Sequence, residues 1–317
     1  MARIPYNPFK KQQMKSDCPN LPSERAYLVR QHLSAAQAAA ADTDGILVNT
    51  ELTTARTITT GFNDPPYARA LTYDCSAAGV TGDVTVVGTN IADEEITETK
   101  ALNGTNVVAG ALAFKTITSI ALPAKVHTKA KQSFTKQVTA ASASKAGNVT
   151  LALTAAALGD ASPLSVVVAL LKDDAVGVIA GKMISALNAD DDFKAAFVAS
   201  LSGTDKVLVT RLVEAADDNT LAMAFTDTDS TGATMGADGD KVAGVAPDLV
   251  FVGFGDIIGL QYMSSWNNVA YVTLNGVKET SAWTQVADAD ELQKNTIDLN
   301  SALNGTAVNI YSIIDNE

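Results

Sequence analysis

Residues 82–110 read GDVTVVGTNIADEEITETKALNGTNVVAG, and this stretch decides the class of fold. Short runs of Val, Thr and Ile alternate with Gly, Asn and Asp, a pattern typical of β-strands separated by tight turns. Asn103-Gly104 is the dipeptide that tolerates positive φ at both central positions of a hairpin turn. The stretch therefore predicts consecutive hairpins, with strands near 82–90, 94–102 and 105–109.

The same pattern continues on both sides of these hairpins. Strands at roughly ten-residue spacing favour a β-sandwich or a barrel-like domain. The pentapeptide ALNGT occurs at 101–105 and again at 302–306, which suggests that one turn chemistry is reused within one domain. The further strands predicted for this domain lie near 46–53, 55–61, 69–75, 112–122, 249–253, 269–274, 296–299 and 308–314.

A different pattern occupies residues 133–246. Apolar residues recur at helical spacing from 173 to 188, and a second short helix is predicted at 192–199. The segment ends in DTDSTGATMGADGDKVAG at 227–244, which we expect to be a long polar loop. The order of elements is therefore β-β-α-α-β-β, with strands predicted at 149–154, 164–170, 207–213 and 221–225.

The predicted fold class is mainly β with an α+β insertion. A β-sandwich-like or barrel-like domain of residues 46–132 plus 247–317 is interrupted by a small ββααββ domain of residues 133–246. Residues 1–45 precede it as an extended, basic N-terminal arm followed by a short helix between Ser23 and His32. Insertion at an exposed loop is tolerated when the ends of the guest lie close together.

The N-terminal arm carries the candidate docking residues. Residues 1–22 hold four of the nine prolines, which favours an extended chain. Residues 1–32 contain six basic and two acidic residues, whereas the whole chain has a net charge of −12. An acidic body argues against nucleic-acid binding through that body. The basic arm could contact nucleic acid, but an acidic protein surface is at least as good a partner for it. The predicted docking residues are Ile4, Tyr6, Phe9, Lys10, Lys11 and Arg25.

Catalytic chemistry has little support in the sequence. The two histidines, His32 and His127, have no neighbours that would orient them, and no phosphate-binding loop, nucleophile elbow or zinc motif occurs. The acidic runs at 93–95, 190–192 and 288–291 are interpreted as turns and helix N-termini. We therefore predict a non-enzymatic protein without a cofactor, a signal peptide or a membrane span.

One metal site is worth stating as a hypothesis. Asp227 and Asp229, with Asp238 at the twelfth position counted from Asp227, have the oxygen-ligand spacing of a calcium loop, and Gly232 occupies the point where such loops turn sharply. The last position is Asp instead of the usual bidentate Glu, and no helix pair flanks the loop. The same residues also suit an ordinary solvated turn.

Several stretches resemble virion structural proteins of tailed bacteriophages. They are SERAYLVRQH at 23–32, ITETKALNGT at 96–105 with AFKTITSI at 113–120, and NTIDLNSALNGT at 295–306. The inserted segment is similar to a module found in phage structural proteins. The resemblance carries no catalytic residues.

The resemblance implies a capsid decoration or auxiliary protein that clamps neighbouring capsid subunits through its arm. Its partners would be the major capsid protein and copies of itself, with a trimer as one arrangement. It would be located in the virion, which is assembled in the host cytoplasm. The alternative is a tail, baseplate or fibre subunit whose inserted domain contacts the host surface.

Overall fold

A computed structural model describes residues 26–261, 268–286 and 294–315 of the chain. The protein is mainly β, which confirms the predicted class. It divides into a first unit of residues 1–126 with 248–317 and a second unit of residues 127–247. The predicted domain boundaries were 132/133 and 246/247.

The elements follow one another with short connections. In chain order the described elements are β1 (Ala26–Leu33), β2 (Asp42–Glu51), β3 (Arg56–Ile58), β4 (Arg69–Cys75), β5 (Asp83–Thr89), β6 (Glu95–Ala101), β7 (Val108–Phe114), β8 (Thr116–Leu122), β9 (Ser133–Ala140), β10 (Gly147–Thr154), a 3₁₀ helix (Ala156–Ala161), β11 (Leu164–Leu170), α1 (Val176–Ala189), α2 (Asp191–Ala196), β12 (Phe197–Ser202), β13 (Lys206–Arg211), β14 (Ala222–Thr226), β15 (Thr234–Val242), β16 (Leu249–Gly259), β17 (Asn268–Leu274), β18 (Val277–Lys278), β19 (Trp283–Val286), β20 (Thr296–Leu299) and β21 (Val308–Asp315).

Two sheets of the first unit share one hydrophobic core. The first contains β19-β20-β16-β4-β7, with β2 also paired to β16, and the second has the order β3-β8-β5-β6. Alternate residues of β5 are buried, as expected for a strand with one face on a core. The shared core includes Leu71 and Tyr73 from one sheet and Val84, Val86 and Ile120 from the other.

A third sheet of the first unit has the order β1-β21-β17-β18 and encloses a second core. Its inward residues include Leu33, Val272 and Ile310, which pack with Ile258 and Ile297 of the neighbouring sheet. The prediction of a short helix between Ser23 and His32 is wrong over the described residues. Residues 26–33 form β1 instead, because antiparallel pairing with β21 outweighs local helix propensity.

The second unit has two sheets, of order β11-β10-β14 and β12-β13-β9-β15. Helix α1 buries Ile179, Ala180, Met183 and Leu187 in their common core. The simple ββααββ order is wrong, because β9, β12 and β15 are additional strands. The predicted second helix ends at Ala196, where the chain enters β12.

The predicted polar loop at 227–244 is also partly wrong. Residues 234–242 form β15, which pairs with β9 through three register irregularities. Glycine and aspartate disfavour strands, and the bulges remove the regular alternation by which a strand is recognised. Tertiary pairing, and not local preference, therefore makes this segment a strand.

Candidate functional site

The predicted docking residues of the arm cannot be placed. Arg25 immediately precedes β1, and the whole group lies outside the described residues. The group consists of Ile4, Tyr6, Phe9, Lys10, Lys11 and Arg25.

The structure does not bring together Asp227, Asp229 and Asp238, the three carboxylates of the calcium hypothesis. Asp227 accepts hydrogen bonds from the backbone N–H groups of Thr231 and Gly232, both at 2.8 Å. Burial raises the pKa of Asp227, but these two N–H groups act in the opposite direction, and the net result is a pKa below the ordinary value. Asp227 therefore closes a turn of its own chain.

The other two carboxylates have separate partners. Asp229 Oδ2 accepts from the N–H of Asn148 at 2.7 Å, at the start of β10. Asp238 lies on β15 and forms an ion pair with Lys136 of β9 at 2.9 Å. Within residues 26–261, 268–286 and 294–315, no group of three or more His, Cys, Asp or Glu side chains is arranged to hold a metal ion.

Of the two histidines, His32 belongs to the first unit and His127 to the second. His32 lies on β1, and its exposed side chain marks the outward face of the sheet β1-β21-β17-β18. Strand alternation brings a group of aromatic, basic and aliphatic side chains onto this face. We call it the tyrosine face; its members are Leu28, Arg30, His32, Tyr271, Thr273, Lys278, Asn309, Tyr311 and Ile313.

A tyrosine pair lies at the centre of this face. Tyr271 of β17 is opposite Tyr311 of β21, and their rings stack with centroids 4.3 Å apart and an angle of 17° between planes. Arg30 is opposite Tyr311 on the other side, and Lys278 Nζ lies 6.0 Å from the Tyr271 ring centroid. Lys278 and the Tyr271 ring are therefore placed for cation–π attraction, and Arg30 is the neighbour of Tyr311 across the strand pair.

Polar contacts order one end of the tyrosine face. His32 Nδ1 lies 2.8 Å from Asn309 Oδ1, and Asn309 Nδ2 donates to Thr273 Oγ1 at 3.1 Å. These contacts cross three strands, so they fix the positions of the side chains at this end of the face. Such preorganisation reduces the entropy lost on binding.

The other end of the face is aliphatic and open to solvent. Leu28 is 59% exposed and Ile313 is 43% exposed, and the two are directly opposite in the β1–β21 pairing. Tyrosine and arginine are enriched in protein–protein interfaces, which also bury apolar surface at their centre. Sequence reasoning missed this site because β1 is more than 200 positions away in sequence from β17 and β21. The available signal was the period-two alternation of residues 269–274 and 308–314.

Two buried polar groups elsewhere in the first unit have structural roles. Arg69 is fully buried; it donates to the carbonyls of Gly255 and Ala39 and lies 3.4 Å from Asp256. Burial lowers the pKa of Arg69 to about 10, while the charge of Asp256 raises it. The guanidinium therefore joins β4, β16 and the chain near residue 39.

The second group centres on Glu98 of β6. Its carboxylate accepts from the N–H groups of Ala111 and Leu112 at 2.6 and 3.2 Å and from the Tyr73 hydroxyl at 3.1 Å. Burial, followed by the charge of Glu98, raises the pKa of Tyr73, so the phenol keeps its proton. This carboxylate links the two sheets that share the larger core of the first unit.

No family model, curated protein or solved structure shows a significant match to the chain. In the part of the chain that the structure describes, no helix is long and apolar enough to cross a membrane.

Proposed function

We propose that this protein is a non-enzymatic structural component of a phage virion, a capsid decoration protein. Its N-terminal arm and its tyrosine face together dock on neighbouring subunits of the major capsid protein. The arm supplies Ile4, Tyr6, Phe9, Lys10, Lys11 and Arg25, and the face supplies a preformed second contact.

One observation carries this proposal: the arm is covalently continuous with the tyrosine face. Arg25 is followed directly by β1, and Arg30 of β1 lies opposite Tyr311 at the centre of the face. A partner held by the face is thus held next to the root of the arm. Two linked contacts give an affinity higher than either alone, and symmetry repeats the gain over many copies.

The charge distribution indicates the chemistry of the partner surface. Arg30 and Lys278 stand on the tyrosine face, and the arm adds Lys10 and Lys11. The chain as a whole carries −12, so this basic region is a local exception. Complementary potentials favour docking on an acidic protein surface, with the acidic remainder directed elsewhere.

A tail or fibre role with host contact through the second unit has less support. Glycan sites usually offer an exposed aromatic ring as a stacking platform. The aromatic side chains Phe134, Phe193 and Phe197 are buried in the core of the second unit, and Phe225 is half-buried against it. This unit therefore presents no open aromatic platform among its residues, all of which are described.

The test uses purified virions of the phage that encodes the chain. Quantitative mass spectrometry should find on the order of hundreds of copies per particle, the number expected for a component repeated over a shell. Small multiples of three or six would favour the tail alternative, and absence from the particle would refute both.

The docking mechanism is tested by adding recombinant chain back to particles that lack it. Deleting residues 2–22 leaves β1 intact and should reduce occupancy strongly, and Arg30→Glu with Lys278→Glu should do the same. Lys172→Glu, an exposed site in the second unit, is the matched control and should bind normally. Unchanged occupancy after the deletion would refute the arm as a clamp.

A further inference from the structure

Strand β11 is an open edge of the second unit. It begins the sheet order β11-β10-β14, and β10 is its only strand partner among the described residues. The pairing is regular from Gly147↔Leu170 to Leu153↔Leu164, without a bulge. The backbone groups on the outer side of β11 thus form a flat template for another strand.

The sequence of β11 lacks the features that normally protect such an edge. Residues 164–170 read LSVVVAL, with no charge, proline or glycine. Natural edge strands are usually short, bulged or charged because an unprotected edge pairs with other chains. The outward residues Ser165, Val167 and Ala169 are exposed, and Val167 is 61% exposed.

An open groove runs between this edge and helix α1. It has a volume of about 690 Å³ and is lined by Lys182, which forms an ion pair with Asp174, by Val167 and Ala169 on the strand, and by the helix residues Val178, Gly181 and Ser185. The helix residues recur at i, i+3 and i+7, so they form one stripe facing the groove. Nothing lies within 4 Å of the position that a Cβ on Gly181 would take, so another element has room there.

We propose that β11 pairs antiparallel with β11 of a second copy, about a two-fold axis at Val167. The two three-stranded sheets then become one continuous sheet of six strands. This register places Val167 opposite its own copy, Ser165 opposite Ala169 and Val166 opposite Val168. Both copies of α1 then lie on the same side of the six-stranded sheet, and the stripes formed by Val178, Gly181 and Ser185 of the two copies meet across the axis.

A second copy fits the edge better than a charged segment does. The edge carries no charge, so lysines such as Lys10 and Lys11 of the arm would be desolvated there without partners. Pro5 and Pro8 of the arm would also remove ladder donors. Two chains of net charge −12 repel each other, and an uncharged, self-complementary edge is where they can approach.

The first test is the oligomeric state of the purified full chain, which is independent of the virion role. Sedimentation from roughly 1 to 200 µM should show a monomer–dimer equilibrium. Val167→Lys should weaken dimerisation about tenfold or more, because two like charges would then face each other in the ladder. The variant should keep its circular dichroism, since Val167 points away from the core.

Matched control variants make the test specific. Val198→Lys alters an exposed valine of β12, on the edge of the other sheet, and should leave the dimer unchanged. In a Cys18→Ser background, Val167→Cys should form an intermolecular disulfide on mild oxidation, whereas Val198→Cys should not. A monomer at all concentrations, or any oligomer that Val167→Lys leaves intact, would overturn the proposal.

Discussion

Replacing Glu98 by alanine should destabilise the first unit more than any exposed substitution on the same strand. The side chain is 5% exposed, and its carboxylate accepts three hydrogen bonds, from Tyr73, Ala111 and Leu112. Removing it leaves three donors without an acceptor in a buried site. Lys100, 3.7 Å away and partly exposed, adds little to this effect.

The expected loss follows from the cost of those donors. A buried donor left without an acceptor costs about 1–3 kcal/mol, and disrupting a buried charged network costs about 3–5 kcal/mol. We therefore expect Glu98→Ala to lower the free energy of unfolding by about 4 kcal/mol. Tyr73→Phe removes one donor and leaves the carboxylate with two backbone bonds, so it should cost about 1–2 kcal/mol.

Urea denaturation followed by tryptophan fluorescence isolates the relevant unit. Both tryptophans, Trp266 and Trp283, belong to the first unit. With a denaturant slope on the order of 2 kcal/mol/M, Glu98→Ala should lower the midpoint by about 2 M and Tyr73→Phe by about 0.5–1 M. The slope itself should not change.

A glycine beside the carboxylate provides an independent perturbation. A Cβ on Gly110 would lie 2.4 Å from Glu98 Oε2 and 3.1 Å from the Leu71 carbonyl. Gly110→Ala should thus displace the carboxylate and destabilise the unit without removing any of the hydrogen-bonding groups. Glu95→Ala, at an exposed position of β6, is the control. A midpoint shift for Glu98→Ala no larger than that for Glu95→Ala would refute the role assigned to Glu98.

Three further predictions concern other groups. Burial, with the charges of neighbouring aspartates, raises the pKa of Cys75 to about 11, so its thiol stays protonated and unreactive at pH 8. In a Cys18→Ser background, a thiol reagent at pH 8 should therefore label no cysteine in the native chain and one cysteine in urea. Asp227→Ala should speed hydrogen exchange at the Gly232 amide about tenfold or more. The pKa of Asp227 is lower in the folded chain than its ordinary value of 3.8. The protection of the Gly232 amide in the unaltered chain is therefore fully present above pH 3.8, and it is lost as the pH falls through the folded pKa. Protection that acid leaves unchanged would contradict this assignment. Arg69→Met should cost the first unit about 3 kcal/mol in the same urea assay, because buried carbonyl groups lose their donor.

Local sequence predicted strands best where one face of the strand is exposed to solvent and the other is buried. The predicted strands at 82–90 and 94–102 correspond to β5 and β6, since alternation and turn residues agree there. The predicted strand at 112–122 is divided at Lys115 between two sheets, β7 in one and β8 in the other. A strand that changes sheets keeps its β propensity, so its sequence carries no mark of the transfer.

The Asn-Gly turns also separate what local sequence predicts from what strand pairing decides. The predicted tight turn at Asn103-Gly104 has positive φ only at the glycine, and a small loop closes there instead. Asn275 and Gly276 both have positive φ, and they join β17 to β18 in a two-residue hairpin. The dipeptide identifies a turn, whereas the register of the flanking strands decides its type.

The candidate site was the least accessible to sequence reasoning. Tyr271 and Tyr311 stack only because β17 and β21 pair, and Arg30 joins them only because β1 pairs on the other side. The sequence by itself determined the β class, the amphipathic α1 and the basic, proline-rich composition of the N-terminal segment, because period, propensity and charge are local properties. Tertiary structure alone decided which strands are neighbours, and hence that β1, β17 and β21 together form the tyrosine face, because strand pairing depends on contacts between distant segments.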